Sequence, residues 1–305
     1  MAYTPVLGGG GLPSFPRQFE DSLVDPISMA VTPIEHLAND GSDVVLSHGT
    51  GFFWRDSGRT YLVTARHVIS GTEPFTNAPM SANAFVPQRV RVFPSFLAGS
   101  TWIRSEGVTL NLYSDTSRLW LQDPEFERLR TDIAALEVNF PPEDGQQLVC
   151  LNEEIGSDRL VTQVGFECSI VGYPTTNLSG LRTPVWRKGA LASEPYLPVD
   201  RKPMFLVDGA TSPGFSGSPV LRRHIGPAPI RNDDGSVTIL ADRVISTIVI
   251  GVYAGRLQNR HVGGETPFAF YANRIPFIVQ RPMTDFSTSS LGTGSLIVGT
   301  RQEAP

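Results

Sequence analysis

The segment Val44–Val68, VVLSHGTGFFWRDSGRTYLVTARHV, decides the architecture of this chain. It holds two runs rich in β-branched and aromatic residues, parted by the turn-forming Asp56, Ser57 and Gly58. That pattern predicts a β-hairpin. Its second run, YLVTA, delivers His67 at a strand end, after which the chain can turn.

The same strand signal recurs on both sides. RVRVF, VTLNLY and DIAALEV follow the hairpin, then a Pro/Asp/Gly-rich joint lies between Pro141 and Gly145. Beyond it come FECSIVGYP, VWRKGALAS, MFLVDGA, SGSPVLRR, SVTILA, VISTIVIGVYAG and FAFYANRI. Helical patterns are short: ERLR just before Asp132, and RIPFIVQ near the end. The 29 glycines and 25 prolines among 305 residues exceed the roughly 12% these two types average, as a turn-rich β protein requires. Two runs of about half a dozen strands predict two packed β-barrels, with a single sandwich as the structural alternative. We therefore divide the chain into an extension at 1–26, barrels at 27–145 and 146–281, and a Ser/Thr/Gly-rich tail at 282–305.

Composition narrows the function. A net charge of −5 offers no counter-charge for phosphates, which argues against nucleic acid. No apolar run approaches the ~18 residues of a membrane span, and the first residues lack the basic and apolar regions of a secretory signal. The two cysteines, Cys150 and Cys168, suit a reducing cytosol and are expected to be free, buried thiols. A cytoplasmic location is the expectation. No His-x-x-x-His or Cys-x-x-Cys spacing calls for a metal, and nothing calls for a cofactor.

Acyl transfer to water needs a nucleophile, a base, a group that orients the base, and donors for the oxyanion. Ser216 lies in SPGFSGSPV, where Gly214 and Gly217 let the chain turn tightly and let the amides of Gly214 and Ser216 face one point. His67 is the base candidate. Asp132 heads an apolar strand, where burial is tolerable only with a partner such as an imidazole N–H. His36, His48, His224 and His261 read as ordinary hydrogen-bonded histidines. His67 and Asp132 fall in the first strand series and Ser216 in the second, the distribution that a cleft between two barrels needs.

The blocks TARHV, TDIAAL and DGATSPGFSGSP resemble the signature blocks of trypsin-like serine peptidases, and are most similar to the bacterial cytosolic and high-temperature-requirement branches. The resemblance spans roughly residues 27–281. It implies an all-β fold of two six-stranded Greek-key barrels with the site between them, and a serine endopeptidase acting on protein or peptide substrates. It also implies an oxyanion hole from Gly214 and Ser216, and a substrate strand beside Tyr253, Ala254 and Gly255. The pocket for the residue at the cleavage point would be based at Ala210 and narrowed by Phe268, favouring small or medium apolar residues.

Some residues depart from the digestive branch of that family. Phe215 stands where those enzymes carry the aspartate that pairs with a new amino terminus, so the loop 212–218 is expected to order without proteolytic maturation, either preformed or through an activating partner. Ser218 replaces a second glycine, and Arg66 replaces a small residue before the histidine. The order His, Asp, Ser, with a strand and not a helix after Ser216, argues against an α/β-hydrolase. A protease-like fold kept as a non-catalytic binding scaffold is the rival reading from another class.

Overall fold

The computed structural model describes residues 24–99, 101–115, 117–141, 145–156, 159–174, 183–241, 245–259 and 264–280. The tail at 282–305 and all but the last three residues of the extension lie outside them. Those last residues are ordered: Asp25 caps the short helix Pro26–Ala30 by accepting from the Ile27 N–H, and pairs with Arg223 at 2.6 Å.

The deciding segment forms the expected hairpin, strands Val45–Asp56 and Arg59–Thr64. Ser57 and Gly58 both take positive φ (48° and 76°), the condition of the tight primed turn that matches strand twist. These strands sit inside a seven-stranded antiparallel sheet. Its order is Trp120–Gln122, Ala134–Val138, Arg59–Thr64, Val45–Asp56, Val31–Leu37, Arg89–Val92 and Val108–Asn111. The first half is thus one long curled sheet beside a three-stranded one (Gln146–Leu148, Ser95–Ala98, Thr101–Arg104), not six strands in a ring. Pro94 gives the reason. It cannot donate to a ladder, so the chain leaves one sheet after Val92 and enters the next at Ser95. Gln146–Leu148 pairs with Ser95–Ala98, which puts it with the first half and moves the boundary past the joint at residues 141–145. The second half closes fully. Glu167–Gly172, Val185–Leu191, Met204–Asp208, Gly264–Tyr271, Ile245–Asn259 and Pro219–Ile225 form a six-stranded barrel.

Alternation along the strands explains how the halves join. Phe53, Leu62, Ala134 and Leu136 point into the core of the first half. Their neighbours Phe52, Tyr61, Val63 and Ala135 point the other way, into a cluster shared with Val171, Leu221, Val252 and Phe270 of the barrel. Both faces of these strands are buried, which is why GFFW and YLV read as continuous apolar runs. Phe52 and Phe53 are completely buried, each worth about 1.5–3 kcal/mol of apolar burial. Cys150 and Cys168 lie in the separate cores of the two halves, free and buried, each pushed up to about 12 by desolvation.

The helix Ile275–Val279 returns to the shared cluster, and Arg274 just before it grips Asp123 with two hydrogen bonds of 2.7 and 2.8 Å. Asp123 is fully buried among the residues leading to Asp132.

Candidate active site

Strand register builds the first part of the site. Thr64 ends its strand opposite Ala134, the first residue of Ala134–Val138. Three residues past the one end is His67; two before the other is Asp132. His67 lies in the single turn Arg66–Ser70, which Gly71 closes with φ 69°. A Cβ at Gly71 would stand 2.6 Å from the Phe85 carbonyl oxygen, so glycine is required twice over.

Asp132, with no exposure at all, uses both oxygens on His67. Oδ2 meets Nδ1 at 2.6 Å, and Oδ1 accepts the backbone N–H at 2.8 Å. A carboxylate opposite Nδ1 assigns the proton to that nitrogen and leaves Nε2 as the free base. Burial works against the imidazolium, but the Asp132 charge and hydrogen bond outweigh it, and the His67 pKa sits above the ordinary histidine value. Glu73 adds to that rise, and Arg66 opposes it. Arg66 is itself buried, with its guanidinium 4.0 Å over the Phe126 ring and bonded to Gln122, Thr72 and Asn77.

Ser216 lies between Met204–Asp208 and Pro219–Ile225, half-exposed, while Gly214, Phe215, Gly217 and Ser218 around it are buried. Gly214 and Gly217 take φ of 96° and 90°. A Cβ at Gly217 would lie 2.1 Å from the Thr50 oxygen and 2.9 Å from the Ala65 nitrogen, so this loop is pressed against the strand end that leads to His67. Phe215 is fully buried in the core of the barrel, where it packs as an uncharged plug. Ser218 is matched by Gly172: a Cβ there would fall 2.0 Å from Ser218 Oγ. Among the described residues, the N–H groups of Gly214 and Ser216 donate to no protein acceptor, and no hydrogen bond joins Ser216 Oγ to His67.

Tyr253 and Ala254 are buried beside the loop, and the Tyr253 backbone is engaged by it. The Gly217 N–H donates to Tyr253 O at 2.8 Å, and the Tyr253 N–H to Ser218 O at 2.8 Å. The strand bulges at Ala254, and Gly255 follows with φ 137° opposite Phe268. A Cβ on Gly255 would touch the Phe268 ring at 3.9 Å, and that ring packs on Phe75 and Phe270. Ala210 is exposed on the adjoining segment. The next residue, Thr211, is tied to the Tyr253 hydroxyl at 2.7 Å and to Arg256, which also pairs with Glu265. His36 is an ordinary buried histidine, bonded to Val68 O and Ser47 Oγ, and His224 contacts Pro227 O. His261 lies outside the described residues.

Sequence reasoning missed Thr50, which binds the loop from the other half of the chain. Its signal was present as Gly49-Thr50-Gly51, since glycines on both sides of a strand residue mark close approach. A Cβ at Gly49 would meet Val68 at 2.7 Å, and one at Gly51 would meet Leu62 at 2.9 Å. Arg256 and Thr211 carry no comparable mark.

A family profile described as trypsin-like peptidase domain matches residues 49–226, a span that contains His67, Asp132 and Ser216. No curated protein sequence matches the chain. Among solved structures it is similar to Deg5, at 18% identity and a TM-score of 0.43, covering 84% of this chain and 87% of that one. It is also similar to Rv3671c from M. tuberculosis H37Rv, crystallised as a serine-to-alanine mutant in an inactive form. That likeness is at 17% identity and a TM-score of 0.40, covering 87% of this chain and 93% of that one.

Proposed function

We propose that this chain, which belongs to the trypsin-like peptidase domain family, is a serine endopeptidase with Ser216 as nucleophile, His67 as general base and Asp132 as its orienting partner. The observation that supports this best is the two-point grip of a fully buried Asp132 on His67, at 2.6 and 2.8 Å. A carboxylate so placed holds the imidazole in the tautomer with Nε2 free. Ser216 Oγ attacks the scissile carbonyl as its proton passes to His67 Nε2. The oxyanion is received by the N–H groups of Gly214 and Ser216. His67 then gives the proton to the leaving amine, and water releases the acyl group by the same steps in reverse.

The reading extends to substrate. Tyr253 is held by the loop, so strand pairing with a peptide falls chiefly to Ala254 and Gly255. Ala210 brings no carboxylate, and Glu265 is occupied by Arg256 at 2.5 Å. A basic side chain would therefore enter without a partner, and Phe268 favours small or medium apolar residues. The uncharged Phe215 fits a loop that orders without a new amino terminus. Two buried, unpaired thiols fit a reducing cytoplasm, and no described helix is long and apolar enough to cross a membrane.

The test is a fluorophosphonate label on the full-length protein with the adduct mapped, followed by cleavage-site profiling on a peptide library. A label on Ser216 that is absent in Ser216→Ala, with cleavage after small apolar residues, is expected. An unlabelled, inert protein would favour a binding scaffold, and cleavage after Arg or Lys would overturn the pocket reading.

A further inference from the structure

Every polar group of Thr50 is used, and each use joins the two halves of the site or braces that joint. The strand Arg59–Thr64 ends opposite Gly51, so one residue earlier Thr50, paired with Pro33 on its other side, has no strand to pair with on this edge. The Ser216 loop takes that place: the Thr50 N–H donates to Ser216 O at 2.9 Å. The Thr50 C=O accepts from Thr64 Oγ1 at 2.7 Å, three residues before His67. The hydroxyl donates to Gly214 O at 2.7 Å and accepts from the Tyr173 N–H at 3.0 Å. The side chain has no exposure.

The two carbonyls held by Thr50 belong to Gly214 and Ser216, the residues whose N–H groups have no protein acceptor among the described residues. Gly214, at φ 96°, lies in a region where glycine has several nearby alternatives, so the backbone alone does not fix where its amide points. The Thr50 hydroxyl on its carbonyl fixes the Gly214–Phe215 peptide plane, and the Thr50 N–H on the Ser216 carbonyl fixes the Ser216–Gly217 plane, so the chain is pinned on both sides of the Phe215–Ser216 amide and Gly214 loses its freedom about ψ. The donor is stiff: a β-branched side chain has few χ1 choices, and the Tyr173 N–H occupies the hydroxyl's acceptor side, which turns its proton toward Gly214.

We propose that Thr50 is the positioning residue of the oxyanion hole, a hydroxyl from the first half that sets the amides of the nucleophile loop in the second. The proposal rests on Ser216 being the nucleophile. Thr50 touches no substrate, and its effect passes through Gly214 and Ser216. Holding the amides before substrate arrives stabilises charge that develops only in the transition state, so its loss falls on kcat and not on KM.

The experiment compares Thr50→Ser and Thr50→Val with wild type, using turnover per active site titrated by fluorophosphonate and thermal melts of the same samples. Thr50→Ser keeps the hydroxyl and is expected within about threefold of wild-type kcat. Thr50→Val is expected to lose at least tenfold in kcat per titrated site, below the roughly 10²–10³-fold of deleting an oxyanion donor outright, with KM within about twofold. Affinity for a peptide aldehyde should fall in parallel with kcat/KM. Should the valine variant not fold, Thr64→Val, which frees the Thr50 carbonyl and leaves its hydroxyl in place, is expected to show the same pattern more weakly. A valine variant that merely melts earlier, with normal kcat per titrated site, overturns the proposal. So does a serine variant as slow as the valine one. Wild-type protein without Ser216-dependent turnover removes the nucleophile reading and this one together, whereas normal wild-type turnover with an unaffected Thr50→Val removes this one alone.

Discussion

The His67–Asp132 corner and the Ser216 loop are built by different physics. The corner is a pair of side chains carried just beyond the ends of adjacent strands of one sheet, joined by a charge-assisted contact of 2.6 Å with no exposure at the carboxylate. The loop is backbone held by backbone and hydroxyls, with contacts from Thr50 and Tyr253 fixing Gly214, Ser216, Gly217 and Ser218. A charge pair in a dry site is strong and orders itself once the strands register. A glycine-rich loop has no such local cause of order, and takes its shape from what surrounds it. The corner should therefore fail through chemistry and the loop through geometry.

The largest expected effect breaks the corner. Asp132→Asn keeps the shape but offers an amide to Nδ1, and kcat should fall about 10⁴-fold with KM little changed. Steady-state kinetics on a peptide cleaved by wild type decides it, and a loss under tenfold would mean that Asp132 does not orient the base.

Next in size is the brace behind the corner. Burial tends to raise the Asp123 carboxyl, but hydrogen bonds from Arg274 and the Glu125 N–H more than reverse this and hold it below the ordinary carboxylate range. Arg274→Ala leaves that carboxylate buried and stripped of its charged partner, a change expected to cost about 3–5 kcal/mol in urea unfolding. Because the folded pKa is depressed, the wild-type contribution is full above the unfolded value near ~3.9 and is lost as pH falls through the folded one. The variant should thus lose its deficit in acid. An equal deficit at every pH would mean that packing and not charge is what Arg274 supplies.

The smallest effect is a shift along the pH axis. With the His67 pKa raised, more of the base is protonated at a given acidity, so the acid limb of kcat/KM should titrate above the ~6.5 of a free histidine. A limb at or below that value would show that desolvation of the imidazolium outweighs Asp132.

Much of this was legible in residue order. The hairpin at Val45–Thr64 could be read because turn chemistry and β-branched runs act over a few residues, although the second strand stops at Thr64 and the rest of the predicting segment turns into the helix Arg66–Ser70. His67 and Asp132 could be paired because a carboxylate at the head of an apolar strand demands a partner. The short helix Pro26–Ala30 passed unnoticed and the strand around His36 was read without bounds, since PISMAVTPIEHL shows neither clean period and a proline sits inside the strand. The path of the chain through Pro94 into a second sheet was equally hidden, because strand pairing is a non-local choice.

The sequence by itself determined the class of fold, the order of the three site residues and the absence of a charge at Phe215, because patterning, turn residues and side-chain chemistry are carried by each residue in place. Only the tertiary structure decided that Thr50 ties the Ser216 loop to the strand of His67, that Gly172 makes room for Ser218, and that Arg274 faces Asp123 from 151 residues away. Those contacts depend on which strand edge is left open and which backbone comes close, and neither is fixed until both halves have packed.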